Sequence, residues 1–173
     1  MMTTPQQLEK IILRSPRTSD GTAVWSFIRD TGNLDLNSAY CYMMLCDYFK
    51  ETCLIAETDG KIVGFVSAFR PPNKPDTLFV WQVAVAASER GKGLSKALID
   101  ELISGVDDGA TLIIEATISP SNLASKALFN GLAKRYETKL TVSSGYLAEW
   151  FPVGSAHEDE NLYQVGPINK KKE

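Results

Sequence analysis

Trp81-Gln82-Val83-Ala84-Val85-Ala86-Ala87-Ser88-Glu89-Arg90-Gly91-Lys92-Gly93-Leu94-Ser95 decides how the rest of the chain is read. Its first residues end a run, Leu78 to Ala86, with valines and aromatics on both faces, the pattern of a strand buried in the middle of a sheet. Its last six, Arg90 to Ser95, form a basic turn with two glycines. From there Leu94, Leu98 and Leu102, with Ala97, recur on one helical face, while Lys96, Asp100 and Glu101 are solvated. The order is buried strand, tight turn, amphipathic helix. A helix N-terminus carries N–H groups without partners and the positive end of the macrodipole. Glycines let an anion approach the backbone, and Arg90, Lys92 and Lys96 add charge, so the turn suits a phosphate. The same residues also fit a plain β–α turn with exposed basic side chains. The spacing is not that of a P-loop, and the third glycine of a dinucleotide fingerprint is missing.

Working outward, Ile11 to Leu13 reads as a short strand. Thr18, Ser19 and Asp20 are N-cap residues for a helix carrying Ala23, Val24, Phe27 and Ile28, which Thr31-Gly32 stops. Asp35-Leu36-Asn37-Ser38 opens a second helix with Tyr40, Met43, Met44, Asp47 and Tyr48 spaced along it. Cys53 to Glu57 and Ile62 to Phe69 are strands around an Asp59-Gly60 hairpin turn. Pro71, Pro72 and Pro75 mark a loop. Downstream, Gly105 and Gly109 flank the end of the helix that Leu94 begins. Leu112 to Ile118 is another buried strand, and Pro120-Ser121-Asn122 opens a helix predicted to turn Ala124, Ala127, Leu128, Gly131 and Leu132 inward. Leu140 to Val142 and Leu162 to Val165 are the last strands, separated by a loop with Trp150, Phe151 and the only histidine, His157. Helices alternate with strands and nothing repeats, which predicts one α/β (α+β) domain over residues 8–168, with 1–7 and 169–173 as flexible termini.

A chain of 173 residues fits one domain better than two. With 44% apolar and 23% charged residues, whole-chain disorder and coiled coil are excluded. Lys plus Arg number 18 against 21 Asp plus Glu, a net charge of −3 without the basic field of a dedicated nucleic-acid binder. A cationic or neutral small substrate suits that surface. Cys41, Cys46 and Cys53 are an odd set without a C-x-x-C pair, which argues against a disulfide framework and a metal site and for apolar packing in a reduced cytoplasm. Glu9, Lys10 and Arg14 rule out a signal peptide at the start, and Leu78 to Ala87 is too short to cross a bilayer, so no membrane partner is expected.

Arg90-Gly91-Lys92-Gly93-Leu94-Ser95 resembles the [Q/R]-x-x-G-x-[G/A] motif of the GNAT superfamily of N-acetyltransferases. Trp81 to Val85 is similar to that family's fourth strand. Asn122 with Ser125, Leu128 and Phe129 at +3, +6 and +7 resembles its N-x-x-A-x-x-L-[Y/F] helix. Order and spacing match from Ile11 to Lys139. The resemblance implies a mixed, mostly antiparallel sheet splayed between strands 4 and 5, with helices on both faces. It also implies acetyl-CoA as co-substrate. The pyrophosphate would lie on the amides of Arg90 to Ser95 and the pantetheine arm against the backbone from Val83 through Ala84 to Val85. A strand amide would polarise the acetyl oxygen, and Asn122, Lys126 and Phe129 would complete the cofactor side. Ser95 stands where the family has Gly or Ala. Phe129 stands where many members have a tyrosine that protonates the leaving thiolate, so Tyr40 or water substitutes, or the thiolate leaves unprotonated.

Longer segments resemble the branch of that family that acetylates L-2,4-diaminobutyrate on the way to ectoine. They are Asp35 to Tyr40, Pro75 to Val85, Glu115-Ala116-Thr117, Ser119 to Asn122, His157-Glu158 and Gly166-Pro167. The resemblance implies transfer to the 4-amino group by direct attack in a ternary complex, and a homodimer with contact elements around Leu140 and Leu162. The amine, with a reference pKa of about 10.4, must lose a proton first. Glu115, a charge amid the apolar run Ile113 to Ala116, is expected as base or amine orienter, or as a strand residue facing solvent. Asp35 and Asn37 bind ammonium or cap the second helix. Tyr40 bonds substrate or packs beside Met43 and Met44. Trp81 makes a cation–π wall or sits in the core, with Gln82 next to it. Thr117 shares the face of Glu115, and His157 is a further substrate-side residue. A polyamine or lysine-side-chain acetyltransferase is the enzymatic rival, and a non-catalytic acyl-CoA sensor the rival of another class.

Overall fold

The computed structural model describes residues 10–106 and 111–169. Gly109, predicted to flank a helix end, and nearly all of both predicted flexible termini lie outside the described residues. In chain order the elements are β1 (Ile12–Arg14), α1 (Gly21–Thr31), α2 (Ala39–Tyr48), β2 (Cys53–Thr58), β3 (Lys61–Phe69), β4 (Thr77–Val85) and α3 (Leu94–Gly105). They continue with β5 (Leu112–Ile118), α4 (Leu123–Arg135), β6 (Leu140–Tyr146) and β7 (Glu160–Ile168). The strands form one sheet in the order β1-β2-β3-β4-β5-β7-β6. Only the β4–β5 pair is parallel; the others are antiparallel.

Each sheet face buries a helix pair against it. On one side Val24, Ile28, Tyr42, Leu45 and Cys46 of α1 and α2 pack on Cys53, Ile55, Phe65 and Ala84. On the other, Leu98, Ile99 and Leu102 of α3 and Phe129 and Leu132 of α4 pack on Val66, Leu78, Ile114 and Val165. Each fully buried Leu or Ile contributes about 1.5–3 kcal/mol of apolar transfer, which fixes the helix faces. The inward face of α4 differs from the sequence expectation. Phe129, Leu132 and Ala133 are buried, while Ala124 and Ala127 are exposed. Two stripes compete on this helix, and the small residues bury too little area to win against Phe and Leu.

Helix α2 is capped by Ser38, whose hydroxyl accepts from the Cys41 N–H at 3.2 Å. Asp35 and Asn37 do not cap it, which leaves their side chains free of that duty.

Two irregularities in β4 create the site. The ladder to β3 pairs Ala68 with Val80 and Ser67 with Gln82, so Trp81 is an extra, bulged residue. Before the bulge Leu78 and Val80 face α3 and α4; after it Gln82 and Ala84 face α1 and α2. The second irregularity is on the other edge. The parallel ladder to β5 runs through Thr77–Ile113, Leu78–Ile114 and Phe79–Glu115, and then ends. Beyond Phe79 the two strands part, and a cleft opens between them.

Candidate active site

The cleft has a volume of about 520 Å³. Phe79 to Val83 of β4 form one wall and Ala116 to Ile118 of β5 the other. Ser125 and Phe129 of α4 line it from the α3–α4 side of the sheet and Asp35 from the α1–α2 side, with Asn122, His157 and Glu160 completing the lining.

The basic turn follows β4, and none of Arg90 to Ser95 lines this cleft. Gly91 and Gly93 adopt φ of 75° and 82°, in the left-handed region that a side chain disfavours. An added Cβ at either meets nothing within 4 Å, so torsion rather than space demands glycine. Leu94 is buried and anchors the first turn of α3, while Ser95 beside it is half-buried. Arg90 Nε donates to the Val85 carbonyl at 3.4 Å, and Lys92 Nζ lies 3.3 Å from Glu89. Val83 lines the cleft; Ala84 points into the α1–α2 core and Val85 is half-buried. The free edge of β4, a helix N-terminus and three exposed basic residues make a track that fits an extended polyanionic group. Asn122 lines the cleft and caps α4, its side-chain oxygen accepting from the Ser125 N–H at 3.1 Å. Phe129, 2% exposed, packs edge-on to Tyr163 with ring centroids 6.5 Å apart, and Lys126 does not line the cleft.

The lining of the cleft is acidic. Glu160 opens β7, diagonal to Thr117 across the β5–β7 ladder, and the Thr117 hydroxyl donates to its carboxylate. Burial raises the Glu160 carboxyl above its ordinary range; Thr117 and His157 pull it back, while Asp35 and Glu158 push it further up. Its backbone is held where β6 bulges. A Cβ on Gly145 would lie 2.1 Å from the Glu160 carbonyl oxygen, so only glycine permits this approach. The β6–β7 connection is pinned by Asp159, which accepts from the Ala148 N–H at 2.7 Å, and by Ser121, whose hydroxyl donates to Glu158. His157 stacks on Phe151 at 4.2 Å and 10°, with Nε2 3.8 Å from Asp35 Oδ2.

The predicted site residues divide. Asp35, Trp81, Gln82, Thr117 and His157 all line the cleft. The bulge explains why both Trp81 and Gln82 do so: Trp81 stays 44% exposed while Gln82 is buried in the α1–α2 layer. Glu115 does not line it. Its carboxylate, 3% exposed, accepts from Lys74 Nζ at 3.0 and 3.3 Å and from Gln164 Nε2 at 2.7 Å. It shares a face with Thr117, as expected, but stands at the fork where β4 and β5 still pair. Tyr40 is 70% exposed and away from the cleft, and Asn37 contributes a backbone N–H rather than a lining side chain. Glu160 was missed. Glu158-Asp159-Glu160 reads as a solvated charge run, and only the two-residue alternation of Leu162 and Gln164, carried back two places, marks its face.

The chain belongs to the acetyltransferase (GNAT) family, whose family model matches residues 23–132. It is similar to the L-2,4-diaminobutyric acid acetyltransferase of Virgibacillus pantothenticus, with 48% identity over 155 residues covering 90% of this chain and 97% of that protein. The same enzyme of Marinococcus halophilus is 44% identical over 170 residues and 98% of each chain. A solved structure of the diaminobutyrate acetyltransferase from Paenibacillus lautus, in complex with its substrate L-2,4-diaminobutyric acid and coenzyme A, shares 52% identity. It superposes with a TM-score of 0.87 over 95% of this chain and 99% of that one. These identities place the chain in the diaminobutyrate acetyltransferase branch of the family.

Proposed function

We propose that this chain moves the acetyl group of acetyl-CoA to the 4-amino group of L-2,4-diaminobutyrate by direct attack in a ternary complex. One observation carries the reading. Two carboxylates, Asp35 and Glu160, line a cleft that runs along the free edge of β4 as far as Val83, and the basic turn that opens α3 follows at the end of that strand. A diamino acid brings two ammonium groups and one carboxylate, and a CoA thioester brings phosphates and an extended arm. The charge pattern matches both. The relatives act on L-2,4-diaminobutyric acid by name, which supports the same acceptor here.

An amine of pKa about 10.4 loses roughly 4–5 kcal/mol on deprotonation at pH 7, at 1.36 kcal/mol per unit, so a local base matters. Glu160 fills that role better than Glu115. It lines the cleft with a raised carboxyl, whereas both oxygens of Glu115 are engaged by Lys74. Asp35 receives the second ammonium, Trp81 walls it, and His157 faces the substrate carboxylate. Bound acetyl-CoA supplies the activated acetyl group; Val83, the Arg90–Ser95 turn and Asn122 hold it. The thiols take no part. Burial pushes Cys46 up to about 12 and Cys53 up to about 11, and no cysteine lines the cleft.

The same reading puts the reaction on the route to ectoine, in the cytoplasm where acetyl-CoA is made and used, and in a homodimer. The nearly bare outer strand β6, with Val142 and Tyr146 exposed, supports a contact element there. No helix of the described residues is long and apolar enough to cross a membrane. The test is turnover of purified protein with diaminobutyrate, spermidine and lysine, with NMR assignment of the acetylated nitrogen. Diaminobutyrate is expected to give the highest kcat/KM and an N4 product. A preference for spermidine, or CoA binding without transfer to any amine, overturns the reading.

A further inference from the structure

Gln82 is a buried amide at the one place where β4 changes face. In a regular β4 it would share the face of Leu78 and Val80, toward α3 and α4; the bulge at Trp81 turns it into the α1–α2 layer. There both ends of the amide are engaged. Nε2 donates to the backbone carbonyl of Asp35 at 2.8 Å, and Oε1 accepts from the Tyr42 hydroxyl at 3.0 Å. That hydroxyl, fully buried on α2, accepts in turn from the Asn37 N–H at 3.4 Å. Two backbone groups only two residues apart in the α1–α2 connection are therefore gripped from below by side chains of β4 and α2. The grip stops at the backbone. The Asp35 side chain remains 86% exposed, with one oxygen 3.8 Å from His157 at the mouth of the cleft.

We infer that Gln82 and Tyr42 are positioning residues for the acceptor amine: they hold the Asp35 backbone so that its carboxylate stands over the cleft before substrate arrives. The inference rests on the reading of Asp35 as an ammonium receptor. A carboxylate on a free connecting segment must be ordered at the moment of binding, and that cost is subtracted from affinity. A backbone already pinned by two buried side chains has met it during folding. The direction of the chain of bonds matters. The Tyr42 hydroxyl donates to Oε1, which leaves the amide nitrogen, and no other group, to donate to the Asp35 carbonyl. A glutamate at position 82 keeps the acceptor for Tyr42 but sets oxygen against oxygen at Asp35. Tyr42→Phe keeps the edge contact to Phe65, with centroids 6.3 Å apart, and removes only the hydroxyl.

Steady-state kinetics of Tyr42→Phe, Gln82→Glu, Asp35→Asn and the Tyr42→Phe/Asp35→Asn double variant test this, with KM for diaminobutyrate and for acetyl-CoA measured separately. Each single variant is expected to raise KM for diaminobutyrate roughly tenfold, with kcat and KM for acetyl-CoA within about twofold of the parent. The double variant is expected to be no worse than Asp35→Asn alone, because Tyr42 acts through Asp35. If Asp35→Asn raises KM and neither Tyr42→Phe nor Gln82→Glu does, the positioning inference fails and the ammonium role stands. Additive effects in the double variant, or equal loss of affinity for both substrates, overturn it as well. An Asp35→Asn variant with unchanged KM removes the ammonium role, and the positioning inference with it.

Discussion

The two sides of the proposed site are built on different plans. The proposed cofactor side is largely contiguous: Arg90 to Ser95 bring two positive-φ glycines and a helix N-terminus, with Val83 and Asn122 added from the cleft. The acceptor end is assembled from four separated places: Asp35 between α1 and α2, Trp81 at the β4 bulge, Thr117 on β5, and His157 and Glu160 at the start of β7. A contiguous backbone site tolerates many side chains and few torsions. An assembled site tolerates many torsions in its own segments and few changes in the side chains or in what aligns the strands. The predictions below set one plan against the other.

The largest effect is expected at Glu160. Glu160→Gln keeps the shape and removes the base, so kcat/KM for diaminobutyrate is expected to fall roughly 10²–10⁴-fold with KM for acetyl-CoA unchanged. The pH profile carries the sign. The base works when deprotonated, so activity falls on the acid side as pH drops through a Glu160 pKa held above the ordinary value of about 4.3 by burial. That acid limb is expected to be displaced or lost in the variant. Stability runs the other way. A carboxyl raised in the folded state favours folding at low pH, and its contribution is lost as pH rises through its folded pKa.

Next come two glycines, one at each end. At Gly145 space is limiting, with a Cβ only 2.1 Å from the Glu160 carbonyl oxygen. Gly145→Ala is expected to shift the start of β7 and reduce kcat roughly 10–100-fold, since small misplacements of a catalytic group are costly. At Gly93 torsion is limiting, with φ of 82° and open space around the Cβ position. Gly93→Ala costs about 1–2 kcal/mol of left-handed strain, expected as a KM for acetyl-CoA raised roughly tenfold with KM for diaminobutyrate unmoved. A Gly93 effect on diaminobutyrate, or a Gly145 effect on acetyl-CoA alone, breaks the division between the two ends.

The same division governs what could be read from sequence. The order of strand, basic turn and helix was legible because strand, glycines, charges and helix follow one another within fifteen residues, and local periodicity reports each. The fold was legible for the same reason: near-continuous apolar runs in β3 to β5 and Leu spacing in α3. The acceptor end was half legible. Asp35, Trp81, Thr117 and His157 came from family resemblance, but their mutual placement depends on a one-residue bulge and on strand order, which no local pattern encodes. Glu160 hid in a charge run at a strand edge. Glu115 was conspicuous as the lone charge in an apolar strand, and its conspicuousness comes from Lys74, 41 positions away, whose ammonium meets it across the fork. The alanines of α4 are apolar without being buried, because the larger stripe of Phe129 and Leu132 lies beside them and takes the core.

The smallest catalytic effect, and the sharpest contrast with Glu160, belongs to Glu115. Glu115→Gln retains one oxygen for Lys74 Nζ and Gln164 Nε2, removes the charge and puts an NH2 donor where Oε2 accepts from Lys74 at 3.3 Å. Because the Lys74 side chain is 43% exposed, its ammonium can turn to water when the anion is gone. The loss is therefore well below that of a fully buried pair, about 1–2 kcal/mol, or several degrees in Tm by thermal denaturation. With Glu115 outside the cleft lining, kcat is expected to stay within about threefold of the parent and the acid limb of the pH profile to stay in place. The measurement is decisive in both directions. A brace at the fork where β4 and β5 part should cost stability and spare the proton transfer. If Glu115→Gln instead abolishes turnover and Glu160→Gln does not, the base belongs to the fork, and the acceptor end is organised around β5 rather than around the start of β7.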